Sequence, residues 1–185
     1  MEEEFVEVLS LYRQLEFFVL QHYIRIKSHK VSKICRDGLY LSGDIVSKTT
    51  KAGPRKFIFQ LLAEVSFIFS EVIMTSPESL AFVLSSVLDR IFGAFVETAQ
   101  SNLLPQEAAL ICLECQFLAE ICGKYLSDFC EKSLDKVTGL LQASISEIDG
   151  EVTHRAFISK AVGLSSESWI KHAKETCLIG TECFS

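Results

Sequence analysis

Residues 105–126 read PQEAALICLECQFLAEICGKYL. At about 100° per residue, Leu110, Phe117, Ile121, Tyr125, Leu118, Ile111, Cys122, Cys115, Leu126, Ala119 and Cys112 share one broad apolar arc. Gln116, Glu120, Lys124 and Ser127 form a narrower polar stripe opposite. An arc that wide faces more than one neighbour, so the spacing predicts a helix around which the others pack. Glu114 falls inside the arc. An unpaired carboxylate there is very costly. Glu114 therefore either reaches water at a helix end or gap, or is buried with a partner on a neighbouring helix or in the connection 37–56. Arg90, at the edge of its own helix's apolar face, is one candidate partner.

Outward from this stretch, helical periodicity covers most of the chain. A first helix is predicted from about Glu4 to about Arg36, with Phe5, Leu9, Tyr12, Val19, Tyr23 and Ile26 at alternating four- and three-residue steps. Val8, Leu15 and His22 widen that stripe, which resembles a short coiled-coil seam and is expected to lie along a bundle. Residues 37–56, DGLYLSGDIVSKTTKAGPRK, hold three glycines and a proline and read as a connection. Pro54, Pro77 and Pro105 each precede an apolar run, where a fixed φ and a missing N–H suit a helix start. Ser76 is placed to cap the helix that runs to about Gln100. Within it, Gly93 costs about 1 kcal/mol against alanine, and close approach of a neighbouring helix would explain it. Further helices are expected over 131–148, 152–162 and 166–179, the last carrying Trp169, the single tryptophan.

The composition fits one domain of 185 residues: 49% apolar, three prolines and nine glycines. The predicted class is an all-α bundle of about six helices. Residues 1–36 form the first helix, 37–56 a basic connection, 54–148 the core and 149–185 short terminal helices. The run 57–74, FIFQLLAEVSFIFSEVIM, is apolar enough to suggest a membrane span, but it holds Gln60, Glu64 and Glu71. Each acid costs roughly 2.5–3.5 kcal/mol at a span's centre, so a buried core helix is the better reading. The start, MEEEFVEV, lacks the basic character of a targeting segment, and seven cysteines without a signal peptide point to free thiols in a reducing compartment.

Charge is unevenly placed. Arg25, Lys27, Lys30, Lys33, Arg36, Lys48, Lys51, Arg55 and Lys56 face only Asp37 and Asp44 within their segment. That stretch carries +7 on a chain of net charge −6, so the remainder carries −13. Such a surface suits an acidic partner or an anionic membrane, or it balances the protein's own acidic face. It lacks the interleaved aromatics and glycines of single-strand binders, so no nucleic acid is expected.

Catalytic motifs are missing from the sequence. Cys112-x-x-Cys115 has no second ligand pair at zinc spacing and no preceding strand for a redox site, and small buried residues account for it better. His22, His29, His154 and His172 are scattered over separate helices. No G-x-S-x-G, phosphate loop or dinucleotide fingerprint occurs. The expectation is a protein that is not an enzyme, with no cofactor and no metal.

The same residues resemble a known family. Leu113-Glu114 followed by Gln116-Phe117-Leu118 is similar to a signature near the C-terminus of helical-rod (CATCHR-type) vesicle-tethering subunits. The resemblance is to the Fat-free/Unhinged subunit shared by the GARP and EARP complexes, with exocyst subunits, which carry a comparable leucine–acid helix, as the second choice. Tyr23-Ile24-Arg25 to Arg36, Gly53-Pro54-Arg55 to Ser70-Glu71-Val72, Ser79 to Gln100, and Leu134 to Ile145 match in order, so the resemblance covers about residues 20–148. The chain departs in its short link at Thr75-Ser76 and over its last 35 or so residues. Family members are far longer, so the chain would correspond to their C-terminal bundle. The resemblance implies a non-enzymatic tether in endosome-to-Golgi transport or endosomal recycling, cytoplasmic and peripheral on trans-Golgi or endosomal membranes. It implies contacts with other tether subunits, small GTPases or SNARE proteins, and with membrane. A stand-alone helical adaptor, or a redox protein using Cys112 and Cys115, are the competing readings.

Overall fold

A computed structural model describes residues 2–39, 54–101, 103–149 and 166–176. Among these residues lie six α-helices, two short 3-10 turns and no strand: an all-α bundle. They are α1 (Glu2–Leu39), α2 (Lys56–Thr75), α3 (Leu80–Ala99), α4 (Pro105–Cys122), α5 (Asp128–Asp149) and α6 (Ser166–Thr176). The turns, Pro77–Ser79 and Gly123–Tyr125, lead into α3 and follow α4. The helix expected over 152–162 and most of the basic connection lie outside the described residues.

The residue pattern explains the packing. From Glu107 to Ala119 only Gln116 is even partly exposed, so α4 is enclosed along its length. It packs on α3, α5 and α6, and Phe117 meets Trp169 of α6 edge-on with ring centroids 6.1 Å apart. The broadest set of neighbours belongs to α3, which touches α1, α2, α4 and α5. The bundle thus has two inner helices, one hub and one enclosed, where the sequence pattern singles out one. α3 turns Val83, Leu84, Val87, Leu88, Ile91 and Phe95 inward, at the spacing of one helical face.

Both α2 and the Pro77–Ala99 stretch are long and apolar enough to cross a membrane. In the bundle their apolarity serves the core: α2 buries Phe57, Ile58, Leu61, Leu62, Val65, Ile68 and Val72. One of its two acids, Glu64, is buried beside Lys30 of α1.

The helix starts differ in their chemistry. Pro105 stands at the first position of α4, and the Glu107 carboxylate accepts the Leu104 backbone N–H at 3.0 Å. Ser127 accepts the Cys130 N–H at the start of α5 and donates to Asp89 of α3, tying the two helices. Ser76 does not cap the backbone as expected. Its hydroxyl bonds Glu78 at 2.6 Å and Ser79 at 2.9 Å, because the chain enters α3 through a 3-10 turn.

The first helix departs most from its expected packing. Ile24, Val31, Cys35 and Leu39 meet the core, whereas Phe5, Leu9, Tyr12, Val19 and Ile26 of the expected stripe are exposed. Every residue from Phe5 to Val19 is exposed.

Two glycines make opposite demands. A Cβ on Gly38 would stand 2.1–2.6 Å from Phe57 side-chain atoms, so α1 ends in a close approach that only glycine permits. A Cβ on Gly93 would meet only the Phe129 ring at 3.8 Å, an ordinary contact, so close helix approach does not explain that residue. We expect Gly38→Ala to cost about 1–3 kcal/mol through overpacking. Gly93→Ala should be neutral or stabilise by up to about 1 kcal/mol. Urea denaturation of the two variants checks both signs.

Candidate interaction surface and the buried ion pair

The described residues contain no cluster of three or more metal-ligating side chains. Among the described residues, the polar chemistry centres on one buried pair and on the charges along α1.

Glu114, at the middle of α4, is 0% exposed. Its partner is Arg55, the residue just before α2, itself 6% exposed. Arg55 donates its backbone N–H to Glu114 Oε1 at 3.0 Å and Nε–H to the same oxygen at 2.9 Å. Its Nη2 reaches Oε2 at 2.5 Å, so the guanidinium fork grips both carboxylate oxygens. Nη1 donates to the Gly38 carbonyl at 3.1 Å, near the end of α1. The guanidinium also lies 4.7 Å from the Phe57 ring centroid. One side-chain pair thereby joins the end of α1, the start of α2 and the middle of α4. The positive end of the α2 dipole adds to the attraction for the carboxylate. Arg90 is exposed on α3 and takes no part in this contact.

The basic residues of the segment separate into groups. Arg55 is inside the protein, because Glu114 and the Gly38 carbonyl compensate its desolvation. Lys27 and Lys30 turn toward α2: Lys27 Nζ lies 2.6 Å from Glu71, and Lys30 Nζ 2.5 Å from Glu64. Tyr23 donates its hydroxyl to Glu71 at 2.7 Å, and Lys27 stacks over Phe67 with 4.7 Å to the centroid. Hydrogen bonds from Lys27 and then Tyr23 hold the Glu71 carboxyl below its ordinary range. Burial, then the bond to Glu71, pushes the Tyr23 phenol up. Arg25, Lys33, Arg36 and Lys56 remain exposed, while Lys48 and Lys51 lie outside the described residues.

Arg25, Arg36 and Arg90 line a groove between α1 and α3 together with the acids Asp89, Glu97 and Glu107. Two adjoining cavities of about 660 and 1020 Å³ form it, sharing Ser32, Asp89, Arg90 and Phe129. Sequence reasoning allowed a partner for Glu114 in the connection 37–56, where Arg55 stands, but named Arg90 and did not single out Arg55. Nor did it find the α1–α2 ion pairs. Their signal was the two-turn spacing of Glu64 and Glu71, which places both acids on one face of α2.

Cys112 and Cys115 are wholly buried, and so are Cys35, Cys122 and Cys130. Burial pushes the Cys35 and Cys122 thiols up to about 12 and those of Cys112 and Cys130 up to about 11. Cys115 is shifted up as well, first by burial and then by Cys112. Thiols held neutral are poor nucleophiles. With five of the seven cysteines so enclosed, at most two should react with a thiol reagent at neutral pH before denaturant is added. Faster labelling of a third would contradict that burial.

The ion pair gives a second expectation. Glu114→Gln and Arg55→Ala should each cost about 3–5 kcal/mol, because each strands a buried charge or its donors. Replacing both by apolar residues of similar size, Glu114→Leu with Arg55→Met, should recover most of that loss. Denaturant midpoints of the three variants measure it. Additive losses in the double variant would mean that the groups are not coupled.

The comparisons with known proteins bear on identity. No curated protein and no solved structure matches the chain. A family model described as exocyst complex component Sec5 matches residues 1–184, nearly the whole length. The chain belongs to the Sec5 family of exocyst complex components.

Proposed function

We propose that this chain is a non-enzymatic subunit of an exocyst-type vesicle-tethering complex, acting through protein contacts. The observation that carries the reading is the Sec5 family match across residues 1–184. It favours the exocyst alternative over the GARP or EARP subunit to which the leucine–acid signature first pointed. The enclosed thiols suit a non-catalytic role, because buried neutral thiols are poor nucleophiles. The expected partners are the other subunits of the complex, and the expected location is the cytoplasmic side of the plasma membrane.

Within that reading, Arg25, Arg36 and Arg90 form the rim of a surface for an acidic protein segment. Ile24, Cys35, Leu39, Ala94 and Leu103 give the groove between α1 and α3 an apolar lining. An amphipathic acidic helix satisfies both demands, through apolar contact below and charge pairing at the rim. Lys27, Lys30 and Arg55 are excluded from this surface because their charges are already engaged.

Affinity purification of the tagged chain from its own cells tests the assignment. The expected result is co-purification of exocyst subunits, reduced by Arg25→Glu with Arg90→Glu. Recovery of GARP or EARP subunits alone would return the assignment to the retrograde complexes. Recovery of no tether subunit would contradict the tethering role.

A further inference from the structure

Gly93 has no reason within the bundle to be glycine. It stands in the interior of α3, where glycine is unfavourable, and a Cβ there would meet only the Phe129 ring at ordinary contact distance. It also lines the cavity of about 660 Å³ between α1 and α3, beside Ala94, with Cys35 and Leu39 of α1 on the other side. The Phe129 ring lies against Gly93 yet remains 51% exposed. Two small residues on a groove floor, flanked by a half-exposed ring, leave room for an apolar group that comes from outside. Glycine is the residue found where such a group approaches the backbone closely.

The rest of the groove defines what carries that group. Its lining residues on α1 run from Phe18 to Leu39, about 31 Å at 1.5 Å per residue. A trough of that length suits a helix of about six turns better than a small molecule. Arg90 stands one turn before Gly93 on α3, and Arg25 of α1 lines the same end of the groove with Ser86. Neither arginine has an ion-pair partner among the described residues. They outweigh the one acid at that end, Asp89, whose carboxylate is held by Ser127 and Cys130. Beyond Gly93 the balance changes: Glu97 lies one turn further along α3, with Arg36 opposite. Unpaired positive charge therefore collects on one side of the small-residue floor, where carboxylates of a bound helix would meet it.

We propose that Gly93, Ala94 and Phe129 seat one bulky apolar side chain of an acidic partner helix lying in this groove. The proposal rests on the reading of the groove as a surface for an acidic segment, and it names the contact that anchors that segment. In the docked helix, carboxylates one and two turns from the anchor pair with Arg90 and Arg25. The missing Cβ of Gly93 makes room for the anchor, and the Phe129 ring gives it a face to pack on. A single side chain enclosed in this way carries a large share of binding, while the charges around it set selectivity. Gly93 then serves binding at a cost in helix stability.

The test uses the full chain and two designed helical peptides with glutamates one and two turns from a central position, which holds Phe in one and Ala in the other. Fluorescence anisotropy at about 150 mM salt should show the Phe peptide binding on the order of tenfold more tightly than the Ala peptide. Gly93→Leu, which fills the seat, should abolish that preference while the denaturation midpoint holds or rises. A glycine with a purely structural role would not give that combination. Should Gly93→Leu fail to fold by circular dichroism, Gly93→Ala replaces it, with a loss on the order of threefold in the Phe peptide's affinity. Phe129→Ala should reduce the preference as well. Arg25→Glu with Arg90→Glu should weaken both peptides alike and keep the ratio between them. Equal binding of the two peptides, each weakened by the arginine changes, would overturn the seat and leave the acidic-segment reading standing. Binding of neither peptide would overturn both. A Phe preference that survives the change at Gly93 would put the anchor elsewhere and overturn the proposal likewise.

Discussion

A carboxylate with no exposure to water sits at the middle of the most enclosed helix, and the bundle is arranged to satisfy it. Glu114 offers two oxygens, and Arg55 addresses both through its guanidinium and its own backbone N–H. The cost of moving two charges out of water is several kcal/mol per ion. Coulombic attraction offsets that only where the remaining donors are satisfied as well, which is what the Gly38 carbonyl does for Nη1. The pair is therefore a weak source of net stability and a strong constraint on geometry. It fixes which end of α1 meets which end of α2, and at what height along α4.

That constraint has consequences along α1. Gly38 must lie against Phe57 for its carbonyl to reach Arg55, which excludes a side chain at that position. With the end of α1 anchored there, Lys30 and Lys27 fall opposite Glu64 and Glu71, one helical face answering another. These partly exposed pairs contribute little individually, but they set the rotation of α1 about its axis. The rotation sends Ile24, Val31 and Cys35 inward and leaves Arg25 and Arg36 beside the groove. One buried contact thus bears on which charges of α1 are engaged by α2 and which remain at the surface.

Much of the fold was legible in the sequence because helical periodicity is local. The breadth of the arc in 105–126 announced an enclosed helix, and each proline stood at or near the start of a helical segment. What was not legible depends on pairings between distant segments. The stripe of Phe5, Leu9 and Tyr12 has the spacing of a buried face, but periodicity does not reveal whether a neighbour is present to bury it. Glu114 stood out as an acid in an apolar arc, yet spacing within one helix cannot distinguish Arg55 from Arg90 as its partner. The basic segment likewise read as a single patch, since a one-dimensional charge count cannot separate Lys27 and Lys30, which turn toward α2, from Arg25 and Arg36, which do not. Gly93 was misread for a related reason: an unfavourable helix residue suggests a tight contact, and only the three-dimensional neighbours show that none is there.

The central claim is that the buried pair locks the start of α2 onto the middle of α4. Hydrogen exchange of the Arg55 backbone amide, resolved by NMR, tests it most directly, because that amide has no helical carbonyl as acceptor and is held by Glu114 alone. The account predicts that the Arg55 amide exchanges as slowly as the amides of residues 110–117 in α4, opening only with the bundle. Exchange at the rate of an unprotected loop amide, while α4 stays protected, would contradict it.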